Sequence, residues 1–231
     1  MAKDWRGPGR LQFVIMDHSL ESRSGLIVLL AVVLFVPLFI FRSIGPVDFW
    51  WWLSVNLVLL IGLSWAADRS LSGAILSDLR AKPARKVFMG VLAALLLYGI
   101  FFAGNRLARL LLPLAGEGIG QVYAFKAGAS PLRIILLMVF LIGPGEEVFW
   151  RGSLQRRWQA LFGPVAGWLI TATVYALVHA GSGNLMLVLA AGVGGLFWGA
   201  LYLRFRSILL VAVSHTIWDI LVFIVAPFAS S

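Results

Sequence analysis

The sequence predicts an all-α protein, a polytopic membrane bundle of about seven spanning helices. Three observations predict it. Hydrophobic residues make up 61% of the 231 and charged ones only 13%, with a mean hydropathy of +0.94. The apolar residues fall in long uncharged runs, which read as spanning helices rather than the core of a soluble domain. Lys and Arg sit mainly in the short segments between those runs, and they are unevenly shared between alternate segments.

Residues 1–24 form a polar tail with Lys3, Arg6, Arg10, His18 and Arg23. It is too charged, and too long before the first apolar run, for a cleaved signal peptide. A solvated side chain is the simplest reading of His18. The first span runs over 26–41 and the second over 49–67, the latter opened by Trp50, Trp51 and Trp52 as an interfacial aromatic anchor. A basic loop follows with Arg69, Arg80, Lys82, Arg85 and Lys86, and Pro83 argues against one helix through it. The third span covers 87–104.

Residues 105–131 form the longest connection. Within it Leu107, Leu110, Leu111 and Leu114 recur at helical spacing and predict a short interfacial helix. The fourth span starts near Leu132 and continues through Glu146 and Glu147 to Trp158. The fifth, sixth and seventh cover 165–180, 185–203 and 208–226. No internal repeat or linker divides the chain, so the expected organisation is one transmembrane domain over 1–231.

With the N-terminus in the cytoplasm, the inner segments hold thirteen cations and the outer ones five, with Arg151 inside a span. The bias predicts an N-in, C-out integral membrane protein, with the cytoplasmic membrane of a bacterium as its expected location. The formal charge of +9 is explained by this topology and by anionic lipid headgroups, not by nucleic acid. Cysteine is absent, which excludes disulfides, thiol catalysis and thiolate metal sites.

Against this apolar background the run Gly145-Glu146-Glu147-Val148-Phe149-Trp150-Arg151-Gly152 stands out. A charged side chain at the centre of a span costs roughly 2.5–3.5 kcal/mol on insertion scales. Glu147 and Arg151 are at i, i+4 and can pair, which lowers the cost of burying both. Glu146 is rotated by about 100° from Glu147 and is free to face another neighbour. Pro144 cannot donate to the carbonyl of Phe140, so the helix is expected to weaken or kink just before the glutamates.

The later spans contain few other ionisable groups: His179 after Tyr175, then His215 and Asp219 four apart on one helix face. Counting about 1.5 Å per residue from the cytoplasmic helix ends puts Glu146 roughly 16 Å deep, His179 roughly 22 Å, His215 roughly 12 Å and Asp219 roughly 18 Å. Within helix tilt these four can meet mid-bilayer. Singly, each reads equally well as an interhelical hydrogen-bonding group, and Tyr175 as packing or a hydrogen-bond partner. As a set from three helices, with two histidines able to exchange protons near neutral pH, they predict a proton-handling site. In the sixth span Ala191, Gly195 and Gly199 form a small-residue packing stripe.

Glu146-Glu147-x-x-x-Arg151, Tyr175-x-x-x-His179 and His215-x-x-x-Asp219, in that order, resemble the CAAX-protease and bacteriocin-processing family of intramembrane glutamic endopeptidases (type II CAAX prenyl endopeptidase-like). The resemblance covers about 132–226, the expected catalytic helices. It implies that Glu146 and His179 activate a water and that His215 and Asp219 stabilise the oxyanion, with Glu147 and Arg151 in support. It implies no cofactor and no metal, and a membrane protein or lipidated peptide as substrate. Two positions depart from the family pattern: Tyr175 stands where Phe is usual and Asp219 where Asn is frequent. A zinc protease is a second reading, although the H-E-x-x-H signature is missing. A non-catalytic membrane binding or immunity protein, or a proton-coupled transporter, is a third.

Overall fold

The computed structural model describes residues 9–228, with side chains from Gly25 onward. Lys3 and Arg6, and the side chains of Arg10, His18 and Arg23, lie outside this range. Among the described residues the chain forms nine helices and no β-strand: α1 (Gly9–Phe41), α2 (Phe49–Ala67), α3 (Ser70–Arg80), α4 (Pro83–Leu111), α5 (Ala115–Tyr123), α6 (Pro131–Phe162), α7 (Pro164–Ser182), α8 (Leu185–Phe205) and α9 (Ile208–Val225).

The starts follow from local chemistry. Asp48 caps α2 by accepting from the backbone N–H groups of Trp50 and Trp51, each at 3.1 Å. Asn184 caps α8 through the N–H groups of Met186 and Leu187, and Ser207 caps α9 through that of Leu210. Pro83, Pro131 and Pro164 occupy the first turns of α4, α6 and α7, where a missing N–H is harmless. Gly163, at φ 87°, makes the sharp turn between α6 and α7.

Five helices, α2, α4, α7, α8 and α9, are long and apolar enough to cross a membrane. The apolar part of α1, Gly25–Phe41, is shorter, and α6 qualifies only jointly with the α5 segment, from which it is bent by 89°. The charges of Arg133, Glu146, Glu147 and Arg151 interrupt its apolar run. An all-α polytopic membrane bundle is thus present, with five of the seven expected spans standing on length and composition alone.

The structure adds one feature to the sequence reading and corrects two. The polar tail is helical from Gly9 and runs without a break into the first apolar segment. The basic loop after α2 contains the amphipathic helix α3. The leucines at 107, 110 and 111 belong to the last turns of α4, because no breaker precedes Pro113; the separate short helix begins only at Ala115. All four stripe leucines, Leu114 included, are exposed.

α9 packs along α4, α8 along α7, and α1 against α2 and the last turn of α7. A Cβ at Gly90 would sit 2.8 Å from the carbonyl oxygen of Leu210, so this glycine allows α4 and α9 to touch. The small-residue stripe does the same for α8: a Cβ at Gly195 would lie 3.1 Å from the Tyr175 ring, and one at Gly199 2.5 Å from Trp168. Polar rims close both ends. At one end Asp68 pairs with Arg156, and Asp78 with Lys86 at 2.6 Å. At the other Asp48 pairs with Arg133, and Lys126 donates to the Phe223 carbonyl at 3.0 Å.

Candidate active site

Pro144 does not break α6. It is accommodated by two π-helical stretches, Met138–Ile142 and Val148–Gln155, which flank Gly143–Glu147. The Gly143 N–H reaches back to the carbonyl of Met138, five residues away. Widening to i→i+5 bonds leaves room for a residue that lacks a donor, and such bulges recur at functional positions.

Gly143 also sets the approach of α9. A Cβ there would collide with the Thr216 hydroxyl and lie 3.1 Å from the Thr216 Cα. With no side chain in the way, the neighbouring His215 reaches α6, and its Nδ1 lies 2.7 Å from Oε1 of Glu147. The same oxygen accepts from Nη1 of Arg151 at 2.9 Å. Glu147 is 0% exposed and Arg151 1%. The guanidinium lies over the rings of Tyr175 (5.1 Å) and Trp198 (5.7 Å), and its Nη2 donates to the Gly195 carbonyl at 3.3 Å. The predicted i, i+4 pair is therefore formed, and it is extended to α8 and α9.

His215 stacks on Trp198 with ring centroids 3.7 Å apart. Its Nε2 is 3.6 Å from Oδ2 of Asp219, an ion-pair distance too long for a hydrogen bond. Both ring nitrogens thus face carboxylates, one on each side. The expected pairing with Asp219 is joined by a contact that spacing did not indicate: Nδ1 is held by Glu147, which leaves Nε2 without a hydrogen-bond partner among the described residues.

Glu146 has different company. Its Oε2 accepts from the Tyr175 hydroxyl at 2.9 Å. Among the described residues its Oε1 has no hydrogen-bond partner. His179, at the start of the last turn of α7, places Nδ1 2.7 Å from the carbonyl oxygen of Tyr175. A carbonyl only accepts, so in neutral His179 the proton sits on Nδ1 and Nε2 carries the basic lone pair. The ring is held against Phe39 at 4.5 Å and Tyr175 at 4.9 Å.

Glu146, His179, His215 and Asp219 all line one cavity of about 440 Å³, together with Tyr175. Glu147 and Arg151 do not reach it. The remaining wall is mainly apolar and aromatic, with Phe39 from α1, Trp50 from α2, Phe101 from α4, Val122 from α5 and Trp198 from α8. All four predicted proton-handling residues therefore meet in one place, and the two predicted supporting residues stand directly behind them. No group of three His, Asp or Glu side chains suited to a metal ion occurs among the described residues.

Two contributors escaped the sequence reading. Phe39 supports His179, and Trp198 supports both His215 and Arg151. The one available signal for Trp198 was its place beside the small-residue stripe of α8. Phe39 carried none, being one aromatic among several in an apolar run.

Compared with known proteins, residues 128–221 match the model of a family described as type II CAAX prenyl endopeptidase Rce1-like. That segment contains all three motifs, so the resemblance read from them holds over the helices that carry them. No curated protein matches the chain, and no solved structure does.

Proposed function

We propose that this integral membrane protein is an endopeptidase of the glutamic type, hydrolysing a peptide bond in a membrane-associated or lipidated protein or peptide. One observation carries the reading. Two unpartnered proton acceptors, Oε1 of Glu146 and Nε2 of His179, belong to the same cavity as His215 and Asp219, inside an apolar wall. The family match over 128–221 supports the same chemistry.

In this mechanism Glu146, assisted by His179, takes a proton from a water as its oxygen attacks the scissile carbonyl. The developing oxyanion faces Nε2–H of His215, because the other ring nitrogen is held by Glu147. One such donor contributes roughly 2.7–4 kcal/mol in well-studied sites. Asp219, 3.6 Å from the same nitrogen, helps to orient the ring. As the tetrahedral intermediate collapses, Glu146 returns the proton to the leaving amine. The apolar wall suits a substrate delivered from the bilayer, with its scissile bond at the polar end of the cavity. The excess of Lys and Arg on one set of segments supports a cytoplasmic N-terminus.

The test is Glu146→Gln in the full chain, reconstituted in lipid vesicles with its helicity checked. Cleavage of a farnesylated peptide ending in a CAAX sequence, and peptide release from membrane proteins, are measured against wild type by mass spectrometry. Loss of every wild-type product is expected. Retained cleavage in the folded variant rejects the assignment.

A further inference from the structure

Tyr175 touches both members of the proposed water-activating pair from a single residue. Its hydroxyl donates to Oε2 of Glu146 at 2.9 Å, and its backbone carbonyl holds Nδ1 of His179 at 2.7 Å. It is 4% exposed and lines the cavity. Its ring is fixed on three sides, edge-on to Trp150 at 5.1 Å, edge-on to His179 at 4.9 Å, and under the Arg151 guanidinium at 5.1 Å. A ring held this firmly presents its hydroxyl from a set position. The carboxylate it binds is itself nine-tenths buried.

We propose that Tyr175 is a positioning residue: its hydroxyl occupies Oε2 of Glu146 and turns Oε1 alone toward the cavity, in register with Nε2 of His179. The proposal rests on the water-activating role given above to Glu146. The physical argument is one of orientation. A carboxylate bound at one oxygen loses the freedom to rotate about its terminal bond, which is otherwise broad and roughly two-fold. A hydrogen bond to a charged group is also about twice as strong as a neutral one, so the restraint is effective. Proximity effects are steep, and a reacting group misplaced by about 1 Å can lose on the order of 100-fold in rate. A phenylalanine at this position keeps the ring contacts and lacks the restraint.

The experiment is Tyr175→Phe in the full-length protein in lipid vesicles, with two readouts. The first does not depend on activity. The carboxylate stretch of Glu146 is obtained as the infrared difference between wild type and Glu146→Gln, then repeated in the Tyr175→Phe background. Its band is expected to shift when the hydroxyl is removed. The second readout is kinetic, on a peptide whose cleavage Glu146→Gln abolishes. Here kcat is expected to fall about tenfold while KM stays within about twofold, since the hydroxyl restrains a reacting group and holds no part of the substrate. An unmoved band overturns the hydrogen bond. A shifted band with unchanged kcat overturns the positioning role, as does a rise in KM that accounts for the whole loss. Cleavage that survives Glu146→Gln would strike at the protease reading instead, and the infrared result would still decide the contact.

Discussion

Glu146 and Glu147 are joined by one peptide bond and meet opposite surroundings. Glu147 faces α9, is fully buried, and shares one oxygen between Arg151 and His215, while its other oxygen is buried without a hydrogen-bond partner among the described residues. Glu146 faces the cavity, is held by a single neutral hydroxyl, and keeps its second oxygen open. Burying a charge without partners is costly, and one held by two cationic or donor groups is fixed in place. Under the proposed mechanism the pair separates two requirements: a carboxylate that ties helices together and a carboxylate left reactive. The difference teaches that depth in the membrane does not distinguish the two glutamates; the number and charge of their partners do.

The largest expected effect on stability comes from breaking the tied side. Arg151→Met removes the guanidinium from Glu147 and leaves His215 alone to face it. Losing one partner of a buried pair costs about 3–5 kcal/mol, because the remaining charge stays buried. Unfolding in detergent, followed by circular dichroism against denaturant, should show a loss of that size. Glu146→Gln, which retains an acceptor for Tyr175, should remain within about 1 kcal/mol of wild type in the same assay. Similar losses in both variants would erase the contrast between the two glutamates.

The next effect is smaller and tests how His215 comes to reach Glu147. Gly143→Ala places a methyl group against Thr216, at a point where α6 and α9 are in direct contact. Overpacking of this kind costs about 1–3 kcal/mol. Because Thr216 adjoins His215, the strain should fall on the His215–Glu147 contact and spare the Glu146–Tyr175 bond. Adding Thr216→Ala removes the clashing hydroxyl and should recover part of the loss, a coupling that a double-mutant cycle measures directly. Additive effects would mean that the close approach lies elsewhere.

The tied side was more legible in the sequence than the open one. The i, i+4 spacing of Glu147 and Arg151 specified their contact, and the order of the three motifs specified which helices meet. The helix at Phe49–Ala67 has the expected limits, and those at Pro164–Ser182, Leu185–Phe205 and Ile208–Val225 lie within two residues of expectation. The cavity wall was not legible. In a membrane protein, side chains facing lipid and side chains lining an apolar cavity share one composition, so the polar-apolar contrast that orients a soluble helix is missing. Phe39 is 5% exposed and Phe41 66%, yet nothing in the run distinguishes them. The same holds for Ile142, buried in the site, and Phe140, turned outward. Nor did spacing indicate that His215 would give Nδ1 to Glu147, since that depends on the contact at Gly143 between helices some 70 residues apart in sequence.

The smallest effect sharpens the comparison by moving the same chemistry to the rim. Asp68 and Arg156 form a carboxylate–guanidinium pair like Glu147 and Arg151, with side chains 26% and 28% exposed instead of 0% and 1%. Partial burial pushes the Asp68 carboxyl up, but the Ser70 hydroxyl and N–H, with the charges of Arg156 and Arg157, outweigh it and hold the group below its ordinary range. A depressed carboxylate stabilises the fold above its unfolded pKa of about 3.9, and that contribution disappears as pH falls through the lower folded value. Solvent screening keeps it to about 0–1 kcal/mol. Asp68→Asn should therefore lower stability by no more than that at neutral pH, converge with wild type in acid, and lose its effect in high salt. A cost of several kcal/mol, insensitive to salt, would show that burial is not what separates the rim pair from the one beside the cavity.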